Sequence, residues 1–405
     1  MNLYLHIPFC PRICPYCAFP VVRVDKALAA AFAPRLLAEW ERRRRGRSFS
    51  TVYFGGGTPT ALSERDLERI LPPVLAAAAP GAEVTMECNP STLSDAKARR
   101  LRALGVNRLS IGAQAFDPAV LRVLGRAHAP VGIRACVESA RRAGFAQINL
   151  DLIFGVPGQT EAAWEATLRA ALELEPEHLS CYGLTYEGDT EFFRRFQRGE
   201  MKPAPEVERR MFALAEDLLG DAGFVHYEIS NYARPGAECR HNLDGWSGRD
   251  YLGIGPGAVS TERITPFEAP GSERARATAA DPGGRNSAEE PFRREDAERL
   301  PRELREIVAR RLRNGPISAE GVWEIAEREE LSRATLASER IALGLRTRRG
   351  VEEAAFARDF GFSLRTRWAT EIARLVEGGF AQPAPPLRLT RKGWLVADEI
   401  AQMFL

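Results

Sequence analysis

Three cysteines near the start of the chain have the spacing best suited to chemistry. Cys10, Cys14 and Cys17 follow one another at intervals of four and three residues, although only seven cysteines occur among 405 residues. Each iron of a four-iron, four-sulfide cubane takes one ligand, so three thiolates leave one iron open. The spacing therefore predicts a [4Fe-4S] cluster at these cysteines, with its open iron available to a ligand that is not protein.

The bulk composition limits where such a protein works. Fifty-six basic residues face fifty-four acidic ones, which gives a formal charge of +2 and argues against a nucleic-acid partner. The sequence has no secretory signal pattern and no apolar run of membrane-spanning length. We therefore expect a cytoplasmic protein with at most peripheral membrane contact, whose reduced cysteines are metal ligands rather than disulfides.

Short strand-like runs alternate with amphipathic helical segments over the first half of the chain. This alternation predicts a parallel sheet covered by helices, in an α/β fold. Six such units suit an open, partial (β/α)6 barrel related to the TIM barrel, with functional loops at the carboxyl ends of its strands. The strands are expected at 3–7, 51–54, 83–87, 108–112, 148–154 and 179–184, and the helices at 25–45, 63–79, 94–104, 130–143 and 161–174.

The second half of the chain has a different composition. Residues 265–301 are rich in Pro, Gly, Ala, Arg and Glu without apolar periodicity, which predicts a linker or long loop between a core at 1–264 and a domain at 302–405. We expect that domain to be mainly helical and winged-helix-like, and to pack on or cover the core rather than bind DNA. Its helical patterns lie at 302–313, 318–328, 332–345, 351–358 and 365–377.

The cysteine motif, with Tyr16 immediately before Cys17, resembles the signature of the radical S-adenosylmethionine (radical SAM) superfamily. Six further ordered motifs resemble the oxygen-independent coproporphyrinogen III oxidase family. The resemblance implies a radical SAM-type core in which the reduced cluster cleaves S-adenosylmethionine to a 5′-deoxyadenosyl radical, and an electron donor that reduces the cluster. The six motifs lie at 4–9, 54–60, 87–90, 110–116, 124–128 and 149–160.

The same resemblance implies which residues hold S-adenosylmethionine. A glycine-rich loop lets the backbone approach the methionyl group, carboxylates hold the ribose hydroxyls, and an arginine pairs with the methionyl carboxylate. Beyond the cluster ligands Cys10, Cys14 and Cys17, the implied contacts are Tyr4, Tyr16, Gly55, Gly56, Gly57, Thr58, Glu87, Gln114, Arg126 and Asp151.

Phe19 separates two branches of the family. True coproporphyrinogen dehydrogenases carry a further cysteine at this position, two residues after the third ligand, whereas the phenylalanine resembles the haem chaperone branch, HemW. That branch implies haem as cargo, recipient haem proteins as partners, and no dehydrogenase activity. Its His-Asn-x-x-Tyr-Trp motif makes His241 the candidate haem ligand, although Gly245 replaces the tyrosine and Val259 stands where histidine is common.

Two enzyme functions stay open beside haem transfer. One is oxidative decarboxylation of two coproporphyrinogen propionates to vinyl groups, and the other is radical alkylation of haem, as in haem-degrading methyltransferases of the family. Cys239, two residues before His241, is a possible second soft ligand for haem. The remaining cysteines and histidines are interpreted as structural: Cys88, Cys136 and Cys181 as buried small side chains, and His6, His128, His178 and His226 as packed or hydrogen-bonded rings.

Overall fold

The structure is a computed structural model that describes residues 1–263 and 306–405. The predicted linker at 265–301 lies outside these residues. The chain forms two compact units, and the first contains residues 1–241, 251–260 and 312–327. The second contains 242–250, 261–263, 306–311 and 328–405. The domain boundaries at 264 and 302 stay a prediction.

Nine neighbouring strands of a twelve-stranded sheet form the centre of the first unit. The strands of the chain are β1 Asn2–Ile7, β2 Phe9–Cys10, β3 Val22–Arg23, β4 Phe49–Gly56, β5 Ala78–Cys88, β6 Arg108–Gln114, β7 Gln147–Phe154, β8 His178–Gly183, β9 Val225–Glu228, β10 Asn231–Ala233, β11 Tyr251–Ile254, β12 Val259–Arg263, β13 Ile307–Asn314 and β14 Ile325–Ser332; the last three have residues in both units. The nine central strands have the order β11-β1-β4-β5-β6-β7-β8-β10-β9, and β1 and β4 to β8 all pair in parallel. All six predicted strands are confirmed, together with the open barrel of six parallel strands.

Helices cover the outer face of these strands. The five predicted helices are confirmed, and side chains such as Ser63, Ser94 and Thr160 cap their first turns by accepting backbone N–H bonds. The helices through the middle of the chain are α1 Lys26–Arg44, α2 Glu64–Leu75, α3 Asp95–Ala103, α4 Pro118–Val123, α5 Pro130–Arg142, α6 Glu161–Leu172, α7 Glu191–Gln197, α8 Pro205–Asp221 and α9 Arg240–Trp246.

The two faces of the parallel strands carry different side chains. On β1, Leu3, Leu5 and Ile7 are completely buried in the apolar core, whereas the alternate residues Tyr4 and His6 hydrogen-bond to each other on the other face. This period of two follows from strand geometry. The inner face of the barrel is therefore polar, and it carries the candidate site residues.

The second unit is mainly helical, as predicted for its C-terminal part. Its helices span Arg333–Gly344, Glu353–Phe360, Leu364–Arg367, Ala369–Glu377, Arg391–Trp394 and Ala397–Gln402. Aromatic rings contribute to the core, including Phe356 and Trp368, whose centroids lie 6.2 Å apart. Within the described ranges, no helix has both the length and the apolar character needed to cross a bilayer.

The helices predicted at 302–313 and 318–328 are wrong. Residues 307–313 belong to β13 and 325–328 to β14, and residues 318–324 between them form a turn and loop. Arginines of β13 pair with glutamates of β14, as in Arg311 with Glu329 at 3.5 Å and Arg313 with Glu327 at 3.2 Å. Arg, Glu, Leu and Ala are good helix formers locally, but cross-strand pairs of opposite charge override that propensity.

Candidate functional site

The three cysteines lie in a loop that follows the carboxyl end of β1. All three thiols are free and half-buried, and they line a cavity of about 610 Å³. That volume is typical of small-molecule and cofactor sites. The loop is anchored on both sides, since Val24 N donates to Cys10 O at 2.9 Å and His6 donates to Pro20 O at 3.0 Å. The strand end therefore presents the predicted ligands to one cavity.

The thiols suit a cluster better than a single metal ion. Within the described residues, no three His, Cys, Asp or Glu side chains converge on one point as an ion would require. A cubane takes each ligand at a different iron, so it suits cysteines spread around a cavity. Burial raises the pKa of Cys10 to about 11 and also raises that of Cys17. Arg126 Nη1 donates to Cys14 Sγ at 3.4 Å, which places a guanidinium beside this candidate ligand.

Gly56, Gly57 and Thr58 line the cavity beside the cysteines. Gly56 has a φ of +110°, and a Cβ there would lie 2.5 Å from the His6 ring. A Cβ on Gly57 would lie 2.8 Å from the carbonyl oxygen of Phe9. These glycines are therefore needed for close packing against the cysteine loop. Thr58 completes the contact, because its N–H donates to Phe9 O at 2.8 Å.

Gln114, the last residue of β6, and Arg126 line the same cavity. Arg126 Nη2 donates to Gly112 O at 2.8 Å, while its buried Nε has no hydrogen-bond partner among the residues that the structure describes. An unpaired buried guanidinium N–H fits an anionic ligand group such as the methionyl carboxylate. Gly112 leaves room for both side chains, since a Cβ there would lie 2.9 Å from Gln114 Nε2.

Two carboxylates, Glu87 and Asp151, lie on the inner face of the barrel and line the cavity. Burial, together with the nearby charge of Asp151, raises the pKa of Glu87 to about 7. Burial also raises the pKa of Asp151, although Ser110 Oγ and Asn149 Nδ2 donate to its carboxylate at 3.0 and 2.8 Å. Both carboxylates therefore line the cavity as acceptors for a bound ligand.

The two predicted tyrosines have different positions. Tyr16 lines the cavity, and its ring centroid lies 6.2 Å from that of Phe192. Tyr4 does not line the cavity, and its hydroxyl donates a hydrogen bond to His6 Nδ1 at 3.0 Å. Gly55 is also absent from the cavity wall. The structure thus gathers the three cysteines and eight of the ten predicted cofactor residues, and the contacts of all of them with S-adenosylmethionine stay a prediction.

His241 lies at the opposite end of the strands from the cysteines. Its Nδ1 is 2.8 Å from Thr51 Oγ1, and Thr51 pairs with Asn2 at the start of β1. The five steps along the strand from Thr51 to Gly56 cover roughly 17 Å at about 3.3 Å per residue. His241 does not line the cavity of the cysteines. Burial lowers its pKa to about 4, so the imidazole is neutral at pH 7.

Glu83 fixes the backbone around His241. Its carboxylate accepts from the N–H groups of Arg240 and His241 at 3.1 and 3.0 Å, at the first turn of α9. The Cys239 thiol lies 3.5 Å from the same carboxylate and is buried. The role of Cys239 as a haem ligand stays a prediction.

The cysteines and histidines that were predicted to be structural are buried. The buried cysteines are Cys88, Cys136 and Cys181. The histidines are also hydrogen-bonded: His6, His128, His178 and His226.

Sequence reasoning did not assign several residues that line the cavity. Tyr53 lies on β4 two residues before Gly55, and Tyr182 lies at the end of β8. Ser110 and Gly112 also line the cavity, although the motif at 110–116 predicted no role for them. Counting in steps of two from Gly55 or Asp151 along each strand would have found Tyr53 and the other inner-face positions.

Comparisons with known proteins agree with this geometry. The profile described as Radical SAM superfamily matches residues 4–171, and that of the HemN C-terminal domain matches residues 331–396. The Heme chaperone HemW of Bacillus subtilis is 31% identical over 418 residues, which cover 100% of this chain and 99% of that protein. The Heme chaperone HemW of Synechocystis is 38% identical over 273 residues, which cover 64% of this chain and 65% of its own length.

A solved structure of Escherichia coli coproporphyrinogen III oxidase (HemN) has a TM-score of 0.75 and 21% identity, covering 100% of this chain and 89% of that one. At this identity the likeness concerns the fold. The partial barrel with three cysteines after its first strand is that of a radical SAM protein, a class that implies a [4Fe-4S] cluster and S-adenosylmethionine. Within that class, the chain belongs to the HemW family.

Proposed function

We propose that this protein is a haem chaperone, which binds haem and passes it to recipient haem proteins. The observation that carries the proposal is the match to the Bacillus subtilis Heme chaperone HemW over 100% of the chain. The full-length match includes both the cysteine loop and the C-terminal unit. The proposal places the protein in the cytoplasm, where an electron donor keeps its cluster reduced.

Different residues of the cavity would bind the cluster and the separate groups of S-adenosylmethionine. Cys10, Cys14 and Cys17 would hold the [4Fe-4S] cluster, and Arg126 would pair with the methionyl carboxylate through its unpaired Nε. Glu87 and Asp151 would accept hydrogen bonds from ribose hydroxyls. When bound, the cluster supplies one electron and an open iron site. The cavity wall orients the ligand and limits its contact with water.

His241 would ligate the haem iron. The Thr51 hydroxyl can accept a hydrogen bond from Nδ1–H, and in that tautomer the Nε2 lone pair is left for iron. Iron-ligating histidines usually donate their second N–H in this way. Haem ligation by His241 would take place at the end of the strands away from the cysteine loop, so the protein can hold cargo and cofactor at once.

Phe19 counts against the coproporphyrinogen dehydrogenase alternative. It lines the cavity with 65% of its side chain exposed, at the position where dehydrogenases carry a further cysteine. A phenyl ring supplies neither a thiol nor a proton to a substrate propionate. No feature of the described site favours radical alkylation of haem over haem transfer.

Haemin titration of the anaerobically reconstituted protein tests the proposal. We expect about one haem per chain with the absorbance of a histidine-ligated haem, and loss of that spectrum in His241→Ala. A matched control is His226→Phe, which removes an imidazole elsewhere in the unit and keeps the ring stacked on Tyr232 at 4.1 Å. Unchanged binding in His241→Ala would overturn the ligand assignment, and no binding by the native protein would overturn the function.

A further inference from the structure

We propose that Tyr53 is a positioning residue that couples the S-adenosylmethionine site to His241. Its side chain contacts both the proposed cofactor carboxylate and the proposed haem ligand. The inference rests on the proposed function, and it adds a thermodynamic link between the two ligands. Tyr53 belongs to β4, which runs from the His241 end of the barrel to the glycine loop.

The contacts of Tyr53 define the link. Its hydroxyl donates to Glu87 Oε1 at 3.0 Å, and its ring centroid lies 5.0 Å from that of His241 with 33° between the planes. Tyr53 also lines the cavity, which His241 does not. One side chain, that of Tyr53, therefore joins Glu87 to His241.

Each end of this link is held by further hydrogen bonds. The second oxygen of Glu87, Oε2, accepts from Gly56 N at 3.0 Å, so the carboxylate is fixed between Tyr53 and the glycine loop. At the other end, the imidazole is held by Thr51 Oγ1 and its backbone by Glu83. A ligand that draws Glu87 towards itself must lengthen or reorient the bond to Tyr53.

The hydroxyl of Tyr53 is the donor in its bond to Glu87. Burial raises the pKa of the phenol well above its usual range, and the neighbouring charge of Glu87 adds to the rise. The hydroxyl therefore stays protonated and donates to the carboxylate. The hydroxyl oxygen is bonded directly to the aromatic ring, so a displacement of the hydroxyl also displaces the ring. The ring in turn packs on the imidazole that would bind iron.

Linkage gives this arrangement a measurable consequence. If S-adenosylmethionine changes the affinity for haem by some factor, haem must change the affinity for S-adenosylmethionine by the same factor. Couplings between protein sites are typically about 5-fold or larger. We expect a coupling of this size in the native protein, and we expect it to depend on the hydroxyl of Tyr53.

The test is a binding cycle on the cluster-loaded, full-length protein. Haemin affinity is measured with and without saturating S-adenosylmethionine in the native protein, in Tyr53→Phe and in Tyr186→Phe. Tyr53→Phe keeps the ring against His241 and removes only the donor to Glu87. Tyr186→Phe is the matched control, since its ring stacks on Phe196 at 5.2 Å and does not itself line the cavity. Thermal unfolding of each variant confirms that it is folded.

We expect about 5-fold coupling or more in the native protein and in Tyr186→Phe, and a factor near 1 in Tyr53→Phe. The histidine-ligated haem spectrum should persist in Tyr53→Phe, which separates lost coupling from a lost ligand. A native factor of 1, or an unchanged factor in Tyr53→Phe, would overturn the inference while leaving haem binding intact. Failure of the native protein to bind haem would overturn the proposed function and the inference together.

Discussion

Arg126 donates a hydrogen bond from Nη1 to the Sγ of Cys14, at 3.4 Å. This bond places a fixed positive charge beside one of the three candidate cluster ligands. A cation near a cluster stabilises its reduced, more negative form. Arg126 therefore has two tasks in the proposed site, since it also lines the cavity and its buried Nε has no hydrogen-bond partner among the described residues.

Substitution Arg126→Gln should lower the midpoint potential of the reconstituted cluster. One unit charge about 6 Å away, at an effective dielectric constant of about 20, corresponds to roughly 100 mV. A redox titration followed by electron paramagnetic resonance measures the shift. Arg122→Gln, on the exposed face of α4, is the control and should leave the potential unchanged. Equal potentials in the native protein and Arg126→Gln would contradict this role.

The affinity for S-adenosylmethionine should rise with pH around neutrality. Burial raises the pKa of Glu87 to about 7, so the carboxylate is mostly protonated at pH 6 and mostly ionised at pH 8. The ionised form is the better acceptor for ribose hydroxyls, and the ionised fraction grows about 10-fold between these pH values. Isothermal titration calorimetry at both pH values checks the rise. Glu87→Gln should bind more weakly with a flatter pH profile, and a fall in native affinity would refute the assignment.

Substitution Gly56→Ala should destabilise the glycine loop. The position has a φ of +110°, and the new Cβ would lie 2.5 Å from the His6 ring. Strain and overpacking together should cost about 2 kcal/mol or more. Gly81→Ala is the matched control, because Gly81 has a φ of +70° but open space around it. Thermal unfolding should show a larger loss at Gly56, and equal losses would mean that contact with His6 is unimportant.

Loss of one cluster ligand should abolish the cluster. Cys14→Ala leaves two of the three thiols that line the cavity, and two ligands do not hold a cubane stably. The absorbance near 400 nm, about where such clusters absorb, should fall to background after reconstitution. Cys181→Ala removes a buried cysteine outside the loop and should keep full iron and sulfide content. Retention of the cluster in Cys14→Ala would contradict the metal assignment.

The inner barrel was predictable because strand periodicity and motif order are local. Residues 148–154, for example, read as a strand from the sequence and form most of β7. Strands β13 and β14 were not predictable, since sequences such as Ile-Ala-Glu-Arg-Glu-Glu-Leu favour helix locally and become strand only by pairing with a neighbouring strand, here β13. The helical interpretation of these residues failed because no local signal reports that partner.

The candidate site was predictable in part for the same reason. The spacing of Cys10, Cys14 and Cys17 is visible in the sequence. Tyr53 belongs to no motif, and its position in the site depends on the pairing of β4 with β5. The separation of His241 from the cysteine cavity was also hidden, because a sequence does not show that α9 begins beside Thr51 at the far end of the strands. Residue type identified the chemistry, and strand pairing decided which groups meet.

Haem transfer is the central claim, and one anaerobic experiment tests it directly. The cluster-loaded protein, charged with haem, is mixed with a haem protein from which the haem has been removed, and the haem absorbance is followed as it moves to the recipient. A parallel sample receives coproporphyrinogen, S-adenosylmethionine and reductant. We predict transfer to the recipient and no vinyl product. Vinyl product at catalytic turnover, with haem never reaching the recipient, would contradict the account.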